Sequence, residues 1–183
     1  MKKTKLNGVY KGEFQEGLRH GHGTYTYKNG DVYKGEWRKD CMYGEGTLKS
    51  VHGHVYDGQW QEGLRDGHGT QEFANGASFV GWWFEGQRHD GVHTFPNGDV
   101  YEGMFNNEFR DGYGTFKYIN GDVYKGNWIK DKINGQGAFT YSNGDVYEGE
   151  WKEGKRHGQG ALSYANVDVY ENNKKSKKIC KQK

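Results

Sequence analysis

The feature that most constrains this chain is a phrase repeated at a fixed interval. "NGDVYKGEW" occupies residues 29–37, "NGDVYEGMF" 97–105, "NGDVYKGNW" 120–128 and "NGDVYEGEW" 143–151. Aligned on the first aromatic, seven copies begin at Tyr10, Tyr33, Tyr56, Phe79, Tyr101, Tyr124 and Tyr147, with a partial eighth at Tyr170. The interval is 23 residues, except for 22 after Phe79. A period of this size specifies an array of one supersecondary unit. Glycine stands two residues after each first aromatic, at Gly12, Gly35, Gly58, Gly81, Gly103, Gly126 and Gly149. A second aromatic stands four after it, at Phe14, Trp37, Trp60, Trp83, Phe105, Trp128 and Trp151. A Gly-x-Gly pair follows in six copies, from Gly21 and Gly23 to Gly158 and Gly160.

Each copy is too short for two helices, and its alternation has period two. Val-Tyr-x-Gly-x-Trp reads as one strand and Gly-x-Gly-Thr-x-x-Tyr as its return. Segments such as "QEGLRH" (15–20) form the hairpin loop, and Asn-Gly-Asp forms the turn to the next copy. Directly opposed residues share a face. Parity therefore predicts Trp37 opposite Gly44, Gly35 opposite Gly46 and Tyr33 opposite Leu48. A three-residue Asn-Gly-Asp loop would set Tyr27 against Tyr33 and Gly23 against Trp37. On this register Trp37 lies between Gly23 and Gly44, Trp60 between Gly46 and Gly67, and Trp128 between Gly114 and Gly135. The glycines bare the backbone so that flat rings can lie over it. Lys34, Glu36, Thr24 and Thr26 fall on the other, polar face.

Composition agrees with an aromatic-built sheet. Only 32% of the 183 residues are hydrophobic, yet 16% are aromatic, and there are 31 Gly against one Pro. Few aliphatics leave little for a conventional core, while disordered chains are poor in aromatics. The expected fold is all-β, an elongated single-layer twisted antiparallel sheet of about seven consecutive hairpins, some fourteen strands. It is expected over residues 8–170, after a short basic lead at 1–7 and before a lysine-rich, solvated and disordered tail at 171–183.

The pattern Y-x-G-x-W, G-x-G-T and N-G-D resembles the MORN repeat (membrane occupation and recognition nexus), from residue 7 to about 170. The resemblance implies twisted rows of β-hairpins forming a groove, and a non-enzymatic scaffold where the repeats stand alone. It also implies settings such as cilia, junctional membranes and the cytoskeleton, with phospholipid binding in some members. The fourth copy, "FVGWWFEGQRHDGVHTFPNG" (79–98), departs from the pattern. It lacks one Gly of the pair, is one residue short, and holds Pro96.

No catalytic or cofactor-binding residue is expected. His20-Gly-His22 and His52-Gly-His54 could suggest a metal, but Gly-His-Gly places His22 and His68 at a variable repeat position, and zinc needs three or four convergent ligands. Cys41 has no paired base, and the glycine-rich segments lack the Lys-Ser/Thr of a phosphate loop. Arg19, Arg65, Arg88, Arg110 and Arg156 recur at one loop position. Glu stands three residues earlier at Glu16, Glu62, Glu85 and Glu153, and Glu108 precedes Arg110. Arg is replaced in the loops "KDCM" and "KDKI" (39–42 and 130–133). Acid and base thus change together, which predicts a loop ion pair within each hairpin rather than a phosphate-reading ladder.

A single sheet layer leaves an aromatic face that suits an amphipathic helix or extended peptide. The candidate partner groove is Tyr33, Trp37, Tyr56, Trp60, Trp83, Tyr101, Phe105, Tyr124, Trp128, Tyr147 and Trp151. A candidate second surface on the polar face is Trp82 and Phe84. An alternative function is membrane recruitment, with Lys174, Lys175, Lys177, Lys178, Lys181 and Lys183 contacting acidic phospholipid beside Cys180. The charge balance, 26 basic against 24 acidic residues, is too even to indicate nucleic acid. Protein partners are expected, and a homo-oligomer is left open. No apolar run approaches the ~18 residues of a membrane span, and "MKKTKLNGVY" has no signal core. Two cysteines make no disulfide framework. A cytoplasmic protein, neither secreted nor transmembrane, is the expectation, in a ciliary or cytoskeletal assembly or at a membrane.

Overall fold

The computed structural model describes residues 8–165, 169–171, 174–176 and 179–182, with side chains described for 8–165. Every described element is a strand. Two compact units divide the chain, Met1–His93 and Thr94–Lys183. The first contains β1 (Gly8–Gln15), β2 (Leu18–Tyr27), β3 (Val32–Arg38), β4 (Cys41–Lys49), β5 (Val55–Gln61), β6 (Leu64–Glu72), β7 (Ser78–Phe84) and β8 (Gln87–Thr94), which ends at the boundary. These strands follow one another in space in chain order. The second unit repeats the arrangement with β9 (Val100–Asn106), β10 (Phe109–Lys117), β11 (Val123–Ile129), β12 (Lys132–Thr140), β13 (Val146–Lys152) and β14 (Lys155–Ser163). Beyond these lie β15 (Val169–Glu171) and β16 (Lys174–Ser176), paired with each other, and β17 (Ile179–Gln182), paired with β14. The all-β antiparallel fold read from the repeat is the one observed.

Turn chemistry explains why the strands pair this way. Each hairpin closes in a two-residue loop with both residues left-handed, as at Glu16 (φ 55°) and Gly17 (φ 76°), or Lys39 (φ 50°) and Asp40 (φ 70°). That is the type I′ loop, whose twist matches that of the flanking strands. Between copies the loop is Lys28-Asn29-Gly30, one residue earlier than the Asn-Gly-Asp expected. The Tyr27 N–H donates to the Asp31 carbonyl (2.8 Å) and the Gly30 N–H to the Tyr27 carbonyl (2.9 Å). Parity survives, but the register moves by two residues. Tyr25 faces Tyr33, and Trp37 faces Gly21, where Tyr27 and Gly23 were expected.

Within the hairpin, Tyr33 faces Leu48 and Gly35 faces Gly46, as parity predicts. Beyond Gly35 a bulge intervenes, and Trp37 faces Met42 instead of Gly44. Its cause is Gly44, left-handed at φ 59°, which with Glu45 adds two residues to the return strand that have no partner in β3. Trp60 likewise lies against Gly44 and Arg65, and Trp128 against Gly112 and Ile133.

This register changes which ring covers which glycine. Tyr33, not Trp37, lies over Gly35 and Gly46: a Cβ at Gly46 would run into the Tyr33 ring. The same holds for Gly69 under Tyr56 and Gly137 under Tyr124. The indoles instead donate to the second glycine of the preceding pair, Trp37 Nε1 to Gly23 O (3.3 Å) and Trp60 Nε1 to Gly46 O (2.8 Å). Gly137→Val, which drives a branched side chain into Tyr124, should cost about 3 kcal/mol or more in denaturant unfolding. Gly17→Ala, with nothing within 4 Å of the new Cβ, should cost only the left-handed penalty of about 1 kcal/mol.

Candidate ring-face site

The ring ladder is the core of each unit. Tyr33 meets Trp37 edge-on at 5.1 Å and the next copy's Trp60 at 5.3 Å. Tyr124 does the same with Trp128 (5.3 Å) and Trp151 (5.5 Å). Edge-to-face pairs at these distances are favourable beyond their area burial. Burial pushes the Tyr33 and Tyr56 hydroxyls up and takes Tyr124 up to about 12. Their phenol protons are therefore retained to donate to backbone carbonyls, as Tyr33 Oη does to Glu36 O (3.0 Å).

All eleven rings named as the candidate groove are buried, from Tyr33 at 0% exposed to Phe105 and Trp151 at 7%. They pack on one another and on the sheet. What the ring face presents outward is a second tier outside that candidate set: Tyr27 and Phe73 in the first unit, and Phe95, Tyr118, Phe139 and Tyr141 in the second, all half-buried. In the second unit these rings touch. Tyr118 lies 5.8 Å from Phe139, which lies 4.6 Å from Tyr141, at tilts near 40°, and the Arg156 guanidinium stands 5.6 Å from the centre of the Tyr141 ring. Burial also raises Tyr27 and Tyr118. A sequence signal for this tier exists, since an aromatic recurs at Tyr27, Phe73, Phe95, Tyr118, Tyr141 and Tyr164. It marks the end of a strand, however, and reads as turn boundary.

The arginines seal the face. Arg19 sits 4.3 Å from the Trp37 ring centroid and 5.1 Å from that of Tyr25. Its partner is Asp40 in the following hairpin, not Glu16 in its own. Nε lies 3.1 Å from Asp40 Oδ1, and Nη2 donates to Asp40 O at 2.7 Å. Arg110 repeats the arrangement with Trp128 and Asp131. The loops "KDCM" and "KDKI" therefore hold the acid for the copy before them. Where the next loop is Glu-Gly, Arg65 donates to the Gly86 carbonyl (2.8 Å).

At the opposite end of each copy, Asp31 accepts from the N–H of Val51 (2.9 Å), Asp99 from Ile119, Asp122 from Ser142 and Asp145 from Ala165. Asn29 steadies Asp31 from two residues away (2.8 Å). His54 fills the column with Nδ1, accepting from Ala74 N (3.3 Å). Ala77 has no acceptor to offer and Pro96 no N–H.

The second-surface residues stand out from their face: Trp82 is 55% and Phe84 61% exposed. Among the described residues no three His, Cys, Asp or Glu side chains converge as a metal site would require. Among the described residues no helix is long and apolar enough to cross a membrane. The lysine side chains from Lys174 to Lys183, with Cys180, lie outside the described side chains.

Both polar networks carry measurable weight. Arg19→Ala removes charged hydrogen bonds and a stacked cation, and should lower stability by about 1–3 kcal/mol, with Arg19→Lys recovering little. Backbone N–H donors hold Asp31 and Asp122 below the usual carboxylate range. A depressed carboxylate stabilises above its unfolded pKa, so this contribution is lost as pH falls below about 4. Acid titration of melting temperature should fall less steeply in Asp31→Asn and Asp122→Asn than in the parent.

The MORN repeat family matches residues 10–32, 56–78, 101–123, 124–146 and 147–166. No curated protein matches. Among solved structures, the chain is similar to the TCP domain of Drosophila melanogaster SAS-4 (dCPAP), in complex with a proline-rich motif of Ana2 (dSTIL). Identity is 13%, 98% of this chain and 93% of that one are covered, and the TM-score is 0.56. The likeness is one of fold.

Proposed function

The chain belongs to the MORN-repeat family, and on that premise we propose that it is a non-catalytic scaffold docking a peptide segment of a partner protein on its ring face. One observation carries the reading: above the buried ladder, the second unit keeps a run of half-buried, mutually tilted rings at Tyr118, Phe139 and Tyr141. Flat aromatic tracks suit extended or polyproline segments, which bind without a large ordering cost. The buried groove residues act one layer down, holding these rings in place. The TCP domain of similar fold, in complex with a proline-rich motif of another protein, supports this reading. Such a module suits a cytoskeletal or ciliary assembly, where short segments of one protein are strung along another.

A displayed library of extended, proline-containing peptides selected against the full chain tests this. Binders should weaken about tenfold or more on Tyr118→Ala, as anchor aromatics do, with melting preserved. Binders indifferent to Tyr118→Ala and Phe139→Ala would take the site off the ring face.

A further inference from the structure

The outer face of the sheet is polar in most copies, and part of that polarity has a structural task. Glu13 accepts from the His22 N–H (2.8 Å), Glu36 from Glu45 (3.2 Å), Gln59 from His68 (2.9 Å) and Glu150 from Gln159 (3.3 Å). Each satisfies an amide that the return-strand bulge takes out of the ladder. Trp82 occupies this column in the fourth copy. Its return strand has no left-handed residue between Gln87 and Thr94, so there is no bulge of that kind to serve and the position is released.

The released face is apolar at all three outward positions of β7: Val80, Trp82 and Phe84, exposed 40%, 55% and 61%. The same positions in β3 are Lys34, Glu36 and Arg38, and in β13 Glu148, Glu150 and Lys152. Leu64 beside them on β6 is 49% exposed. Exposed apolar clusters of this kind on a soluble protein mark interaction sites. The segment that bears them is rich in acids, with Arg38 and Lys39 of the neighbouring hairpin beside Glu62. Residues 51–98 contain no lysine, and six acids lie among them in Asp57, Glu62, Asp66, Glu72, Glu85 and Asp90. The two arginines of that stretch are turned to the ring face, Arg65 over Trp83 (4.0 Å) and Arg88 over Phe79 (5.6 Å). His68 meets the Trp82 ring edge-on at 5.7 Å.

We infer that the outer face of β6 and β7 is a second docking surface, and that its occupant is a lysine- or arginine-rich amphipathic segment of a partner protein. The apolar side of the segment covers Trp82 and Phe84, and its cations meet the acids of residues 51–98. Complementary charge beside an apolar patch selects partners and speeds encounter. The inference does not depend on the ring-face reading, because the two surfaces use different residues.

The test uses the full chain with two synthetic amphipathic peptides of equal length, one leucine–lysine and one leucine–glutamate, followed by Trp fluorescence and calorimetry. The lysine peptide should bind, weaken with salt, and lose about tenfold or more on Trp82→Glu. Glu62→Lys with Glu85→Lys should also weaken it; lysine already occupies that left-handed loop position at Lys39 (φ 50°) and Lys130 (φ 46°), so folding is kept. Tyr118→Ala should leave it unchanged. Equal binding of both peptides, binding lost on Tyr118→Ala but kept in Trp82→Glu, or no binding at all overturns the inference. Self-association of the parent chain that disappears in Trp82→Glu, or displacement by a peptide of residues 171–183, would give the surface to a second copy or to the chain's own tail, and would overturn it equally.

Discussion

The structure depends on a tyrosine ring lying flat over a glycine. Tyr33 over Gly46, Tyr56 over Gly69 and Tyr124 over Gly137 each need bare backbone, because a Cβ would occupy the ring's place. With the ring seated, its hydroxyl reaches a carbonyl three residues on and its edge meets two indoles. The indoles in turn bond to the glycine carbonyls of the copy before. The core is thus made mainly from rings and backbone, with Ile133 and Ala77 as its buried aliphatics, which is why so few aliphatic residues suffice.

Much of this is legible in the period. Strand identity, hairpin order, the facing of Tyr33 by Leu48 and of Gly35 by Gly46, and the irregular fourth copy all come from alternation and spacing. Features set by a left-handed residue inside a strand are not legible there. Gly44 reads as an ordinary strand glycine, yet its φ makes the bulge that moves Trp37 from Gly44 to Met42. The Asn-Gly-Asp phrase points to a turn one residue too late for a related reason: Asp31 belongs to the ladder and its carboxylate to the next copy.

The arginine column shows how covariation within one chain can mislead. Acid and base do change together, but across neighbouring hairpins, and Arg19 and Asp40 are 21 residues apart. Sequence spacing alone cannot tell a partner in the same loop from one stacked beside it. Repeat regularity likewise picks out rings that the fold buries. The residues most regular in the repeat, Tyr33 and Trp37, are those the fold itself consumes. The half-buried tier at Tyr118 and Tyr141 occupies looser positions, where the requirement is only an aromatic at a strand end.

The bond from Asp122 to the backbone amide of Ser142 asks nothing of the side chain on the residue that supplies the amide, and Val51, Ile119 and Ala165 serve as well. A joint that reads backbone is indifferent to the identity of the next copy. At this joint, unlike the one between Arg19 and Asp40, whole copies can be duplicated or deleted in a gene without a new contact having to evolve, and the length of the array becomes a heritable variable. Proline at the donor position is the exception. Pro96 marks a place where such a rearrangement would meet a joint of a different kind.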